Sequence, residues 1–103
     1  MSNILDATDP RGKKVICSSG CWDEHILSKR PSMSGWIKKL PKAIEEPDAI
    51  FKDADFEDRE VYYLLAKRNY LKVVVRFQGD QGEVITAFLT DSPKPGETLL
   101  WVK

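Results

Sequence analysis

The chain carries a single histidine, His25, whose imidazole is the side chain best suited to give or take a proton near neutral pH. Lys29 and Arg30 follow it by four and five positions, and Lys72 and Arg76 recur four apart in a later apolar segment. Ammonium and guanidinium groups of this kind hold phosphate oxygens, the guanidinium as a fork of donors. The chemistry they spell together is a proton shuttle beside an anion-binding surface. Thr86 adds a hydroxyl inside an apolar run, where it must find a partner or touch a ligand. Tyr62 and Tyr63 point to opposite sides of a strand, so one packs inward and the other is free to stack on a base or donate to a phosphate. Each residue also has a structural reading. His25 packs at a helix rim; Lys29 and Arg30 satisfy the last helical carbonyls; Lys72 and Arg76 pair with acids; Thr86 is an ordinary strand residue; a tyrosine is an amphipathic core edge.

Other chemistries find less support. Cys17, Cys21 and His25 recur at intervals of four and would line up if a helix began early. A closed zinc site needs a fourth ligand, and Ser18-Ser-Gly20 breaks the helical register, so no metal and no cofactor is assigned. There is no Gly-rich phosphate loop, no Cys-x-x-Cys, no Gly-x-Ser-x-Gly elbow and no zinc-protease motif. A lone histidine also excludes the two-histidine acid and base pair.

The elements that must position these groups follow from hydrophobic pattern. Residues 1 to 13, with Pro10 and Gly12, read as an extended, poorly ordered lead-in, and 14 to 103 as one domain. Lys14–Cys17 is a short apolar run, an edge strand. A helix is expected from Cys21 to about Lys29, with Asp23 and Glu24 near its positive end, Lys29 and Arg30 near its negative end and Pro31 ending it. Trp22 and Ile26 share its apolar face, with His25 at the rim. A second helix, Gly35 to Glu45, carries Trp36, Ile37, Leu40 and Ile44 inward, and Pro41 predicts a kink or two short segments. Ala49–Lys52 is a short strand, and residues 53 to 58 form an acidic loop. Three runs rich in β-branched and aromatic residues, beginning at Arg59, Tyr70 and Glu83, then read as an antiparallel meander. Leu99–Val102 is an apolar tail that docks on the core or adds a strand.

In the middle run Leu71, Val73, Val75 and Phe77 alternate with Lys72, Val74 and Arg76, making one face apolar and the other cationic. Whether Thr86 joins the cationic face depends on the hairpin at residues 79 to 82. A two- or four-residue loop puts it opposite Lys72, and an odd loop or a bulge brings the two together. Helices first and strands after predict α+β: two N-terminal helices packed on one face of a four-stranded antiparallel sheet.

The bulk numbers bound the function. Formal net charge is zero, against strong non-specific nucleic-acid binding, but residues 1 to 44 hold eight Lys or Arg against four Asp or Glu, and the remainder eight against twelve. A local positive cleft is compatible with that asymmetry. Two cysteines do not make a disulfide framework and read as reduced thiols. No apolar run reaches signal-peptide length or the ~20 residues of a membrane helix, so the chain reads as cytoplasmic, with no membrane partner.

The runs Cys21-Trp-Asp-Glu-His25-Ile-Leu-Ser-Lys-Arg30-Pro, Ile44-Glu-Glu-Pro-Asp48-Ala-Ile, Tyr62-Tyr, Leu71-Lys-Val-Val-Val and Val84-Ile-Thr-Ala-Phe resemble the phage and toxin branch of the superfamily named for barnase, EndoU, certain colicins and RelE, abbreviated BECR. The similarity extends from about Lys14 to Thr90. It implies a metal-independent endoribonuclease of toxin type acting on RNA, either a free-standing toxin controlled by an antitoxin or immunity protein or a phage-derived processing enzyme. By that analogy His25, Lys72 and Thr86 are catalytic and Arg30 binds substrate; Lys29, Tyr63 and Arg76 stand beside them as further substrate-binding candidates, read from the residues themselves. The implied reaction is attack of a ribose 2′-hydroxyl on the adjacent phosphate to leave a 2′,3′-cyclic phosphate. Lys72, Tyr63 or a water would be the second proton-transfer group. The alternatives are a non-catalytic binding module of the same fold, meeting a protein partner through the acidic loop and docked tail, and a small metal-binding regulator using Cys17, Cys21 and His25.

Overall fold

A computed structural model describes residues 2–103, so residue 1 of the expected lead-in lies outside it. Its strands are β1 (Asn3–Thr8), β2 (Lys14–Ser18), β3 (Ala49–Lys52), β4 (Arg59–Ala66), β5 (Asn69–Gln78), β6 (Gln81–Thr90) and β7 (Thr98–Val102). They form one seven-stranded sheet in the order β1-β2-β6-β5-β4-β3-β7. All pairings are antiparallel except β2 with β6, which run parallel. The four-stranded antiparallel sheet expected from sequence is therefore corrected to a seven-stranded mixed one. The lead-in contributes an edge strand, the apolar tail contributes the opposite edge, and β2 joins the sheet beside β6.

Local composition explains why β1 was hard to read. Asp6 and Ala7 are poor strand formers, yet Leu5 and Ala7 alternate into the core at 3% and 4% exposure, which is enough to seat the strand against β2. The two long helices are also corrected. A short turn, α1 (Ser19–Cys21), opens on Ser18, whose hydroxyl accepts from the Cys21 amide at 3.0 Å. It runs into a π-helical stretch, Trp22–Leu27, in which the Ser28 amide reaches back five residues to the Asp23 carbonyl. A 3₁₀ segment, Pro31–Lys39, then passes into α2 (Leu40–Glu45). Pro41 falls in the first turn of α2, where its missing amide would have had no partner, so it marks a junction between two helical forms.

The core lies on one face of the sheet. Leu71, Val73 and Val75 of β5, Tyr62 and Leu64 of β4 and Val84 and Ala87 of β6 meet Trp22, Ile26, Met33, Leu40, Ala43 and Ile44 from the helical segments. The turn between β1 and β2 closes over the far end of this face. Asp9, its carboxylate fully buried, accepts from the Arg11 and Lys13 amides at 2.8 and 3.0 Å and from the Tyr62 hydroxyl at 2.7 Å. Arg11 bridges from Asp9 to Glu60 of β4, at 2.7 and 2.6 Å. A hairpin two strands removed from β4 is thus tied onto it by a buried polar cluster.

The opposite face, expected to be a cationic surface, is crossed by a strap. β6 and β7 point the same way but lie on either side of β5, β4 and β3, so residues 91–97 must pass under all three. Four strand spacings sideways and five residues of register along the strands make a diagonal of about 25 Å, and eight peptide steps span about 26 Å. The strap is nearly taut. Among the described residues no helix is long and apolar enough to cross a membrane.

Candidate functional site

The candidate site opens where β2 leaves β6. Pairing between them stops at Ile16 opposite Glu83, and the next carbonyl on that edge, Val84, accepts instead from the Cys21 thiol at 3.0 Å. At the same point β6 bulges: Val75 pairs with Val84 and Val74 with Thr86, leaving Ile85 as the extra residue. Strand departure, bulge and helix start leave a gap that no backbone fills. It is a cavity of about 260 Å³ lined by Ser18, Cys21, His25, Arg76, Glu83, Val84 and Ile85.

Its polar walls come from three elements. Cys21 and His25 are one helical turn apart, and the turn that buries Trp22 and Ile26 in the core leaves His25 exposed at the cavity. Arg76 and Glu83 are cross-strand partners near the β5–β6 turn, with Nη2 donating to Oε1 at 3.0 Å. Their side chains are 43% and 55% exposed, so the pair contributes little to stability and is free to exchange partners. Arg76 and Glu83 also line a second cavity of about 100 Å³ with Ile16, Gln78, Gln81 and Gly82. The ion pair forms a wall shared by two adjoining spaces.

Of the residues singled out from sequence, His25 and Arg76 meet at this cavity. Thr86 is half-buried and shares the face of Lys72, because the Ile85 bulge shifts the register by one. Arg30 is exposed, its guanidinium 4.8 Å from the centre of the Phe88 ring on β6. Lys29 is exposed on the turn before it.

Lys72 and Tyr63 are not at the cavity. The strap covers both: the Lys72 ammonium donates to Glu97 at 3.0 Å, and the Tyr63 hydroxyl donates to the other oxygen of the same carboxylate at 2.5 Å. Lys72 is 7% exposed, Tyr63 1% and the Glu97 side chain 0%. Burial, and then the Glu97 hydrogen bond, push the Tyr63 hydroxyl far above its ordinary range. Neither tyrosine of the pair is free, since Tyr62 is buried on the core face. The expectation that Lys72 and Tyr63 meet a phosphate is corrected: a carboxylate of the chain itself occupies that position.

Cys17 is buried behind Cys21, and among the described residues no group of three or more His, Cys, Asp or Glu side chains is placed to hold a metal ion. The alignment of Cys17, Cys21 and His25 along one helix fails because Cys17 is still in β2. Glu83 is the site residue that sequence reasoning missed. Its signal was the Gly79-Asp80 turn, which with two residues pairs Gln78 with Gln81 and so sets Arg76 opposite Glu83. Comparisons with protein-family models, with curated proteins and with solved structures find no match for this chain.

Proposed function

We propose that the chain is a metal-independent endoribonuclease that cleaves by transphosphorylation, with His25, Glu83 and Arg76 at its centre. The observation that carries this reading is that the lone imidazole, a carboxylate and a guanidinium line one open cavity. A ribose 2′-hydroxyl must lose a proton, a 5′-oxygen must gain one, and the phosphorane between them carries extra negative charge. In this reading Glu83 takes the first proton, protonated His25 supplies the second, and Arg76 turns from Glu83 to the phosphoryl oxygens. The adjoining cavity beyond the Arg76–Glu83 wall receives the neighbouring nucleotide. Arg30, with Phe88 beneath it, and Thr86 flank the same stretch of β6 as secondary contacts to substrate.

This assignment keeps His25, Arg30 and Thr86 from the resemblance to the BECR group, and gives Glu83 the second proton-transfer role that the resemblance left to Lys72, Tyr63 or a water. Membership of that group, a cytoplasmic location and restraint by an antitoxin or immunity protein are part of the same proposal. The test is incubation of purified protein with structured and single-stranded RNAs in EDTA, with the termini analysed. Fragments ending in 2′,3′-cyclic phosphate, lost in His25→Ala, support it. Intact RNA across the set would reject it.

A second reading, a binding module acting through a protein partner, draws on β7. This edge strand exposes Leu99, Leu100 and Val102 at 52%, 42% and 62%. A partner strand added there would cover them. Co-purification of a partner that is lost on Leu100→Lys, with no RNA cleavage, would favour this reading.

A further inference from the structure

Arg59 opens β4 with a charge that the chain itself does not answer. It stands directly opposite Arg76 in the β4–β5 ladder, so the two side chains leave the same face of the sheet from adjacent strands. Like charges facing each other in this way destabilise a ladder unless each finds a counter-charge. Arg76 has one in Glu83 at 3.0 Å. Among the described residues no carboxylate pairs with the Arg59 guanidinium, and its Nε–H is buried without an acceptor. Donors of that kind are costly to bury and rare in folded chains.

The neighbouring acidic loop could have supplied a partner and does not. Asp53 accepts from the Asp55 and Phe56 amides at 3.0 and 2.9 Å, Glu57 pairs with Lys52, and Asp55 pairs with Lys94. Asp58, next to Arg59 in the chain, is exposed and pairs with no cation among the described residues. What the loop gives Arg59 instead is a surface. The Asp53 turn presents Phe56, and the Arg59 Cζ lies 3.8 Å from the centre of its ring. Stacking holds the guanidinium plane and leaves its edge donors for an anion.

We propose that Arg59, held on Phe56 and set beside Arg76, is a phosphate subsite that takes the phosphodiester next to the one being cleaved. Arg76 is a wall of the His25 cavity, so an RNA strand leaving that cavity over β6 and β5 meets Arg59 one strand spacing further on, about 4.8 Å away. The phosphate oxygens accept from the guanidinium edge, and the anion answers the one charge of the facing pair that Glu83 leaves uncompensated. The identity of the strand as RNA rests on the ribonuclease reading, whereas the subsite stands on Arg59, Phe56 and Arg76.

The test uses the whole chain and RNA octamers with 2′-O-methyl riboses, which lack the attacking hydroxyl and stay intact. Fluorescence anisotropy in EDTA, from about 50 to 200 mM salt, gives the affinity and its salt slope. In Arg59→Gln the affinity should fall about 3- to 10-fold for every octamer sequence, and the slope of log K against log salt should lose about 0.7, the share of one phosphate contact on a single strand. Arg59→Lys should restore the slope but only part of the affinity, since an ammonium keeps the charge and loses the fork. In the wild-type chain the Arg59 Nε–H resonance should shift on adding the octamer, a readout that needs no variant to fold. Inorganic phosphate at the same phosphate concentration should move it far less.

An affinity and slope in Arg59→Gln equal to wild type, an Arg59 resonance unmoved by saturating octamer, an equal shift with inorganic phosphate, or no octamer binding by the wild-type chain would each overturn the proposal. Octamer binding with the expected signatures but no cleavage of unmodified RNA would uphold the subsite and reject the nuclease.

Discussion

Arg76 and Glu83 face each other across the β5–β6 hairpin with 3.0 Å between Nη2 and Oε1, and both also line the cavity that holds His25. An exposed cross-strand pair of this kind is worth at most about 1 kcal/mol, so it does not explain itself as a stability device. It does place an acid and a cation within reach of the chain's one imidazole.

If that placement is catalytic, the three residues respond differently to substitution. His25→Ala and Glu83→Gln should each lower RNA cleavage by about 10²–10⁴-fold, and Arg76→Ala should lower kcat more than it raises KM. Unfolding free energies of all three variants, from urea denaturation, should stay within about 0.5 kcal/mol of wild type, since all three side chains are exposed. Steady-state kinetics on a short RNA, with denaturation run in parallel, checks both halves.

Lys72 and Glu97 should behave as a structural pair. Glu97→Ala leaves a buried ammonium and the Tyr63 hydroxyl without their acceptor and should cost about 3–5 kcal/mol, freeing the strap and β7 with it. The double variant Lys72→Met with Glu97→Gln should recover most of that loss. Equilibrium unfolding measures both, and hydrogen exchange in β7 reports whether the strap has detached.

The Asp9 cluster predicts an acid dependence. Burial pushes the Asp9 carboxyl up, but the hydrogen bonds from Tyr62, Arg11 and Lys13 outweigh it and hold the group below its ordinary value. A carboxyl lowered on folding contributes stability that is complete above its unfolded range and disappears as pH falls through the folded value. The stability difference between wild type and Asp9→Asn should therefore narrow as the buffer is taken from about pH 6 to pH 2. Tyr62→Phe removes one donor from the same buried carboxylate and should cost about 1–3 kcal/mol at neutral pH.

Two backbone positions should move stability in opposite directions. A methyl group at Gly82 would lie 2.7 Å from both the Phe77 ring and a Val75 methyl, so Gly82→Ala should destabilise by about 1–3 kcal/mol. Lys67, in the two-residue turn between β4 and β5, holds φ at 59°, where a side chain is crowded by its own backbone. Lys67→Asn at that position should raise stability by up to about 1 kcal/mol. Thermal melts of the two variants provide the comparison.

Much of the architecture was legible because its signals are local. The alternation of Leu71, Val73, Val75 and Phe77 identifies a strand with one buried face, and those residues do enter the core or its margin. Pro31 and Pro41 mark helical boundaries through a missing amide that acts on adjacent residues alone. His25 sits beside Trp22 and Ile26 on a helical turn, so its rim position was readable from spacing. What spacing cannot report is which distant segment lies across a face. Lys72 and Arg76 carry the same alternation signal, yet 91–97 crosses the sheet above one and leaves the other open.

The chain's own order of residues determined where the strands of the central meander run, which of their faces is apolar and that one imidazole stands at a helix edge, because side-chain alternation and backbone restriction act over a few residues. Tertiary structure decided the rest: β1 and β7 as sheet edges, the parallel contact of β2 with β6, Glu97 as the partner of Lys72, and the meeting of His25 with Arg76 and Glu83. Those outcomes depend on register and on the path of a nearly taut crossing. A single bulge at Ile85 turns Thr86 to the other face, and the strap of 91–97 covers Lys72, a lysine that alternation alone would leave on an open face, as half of a buried ion pair.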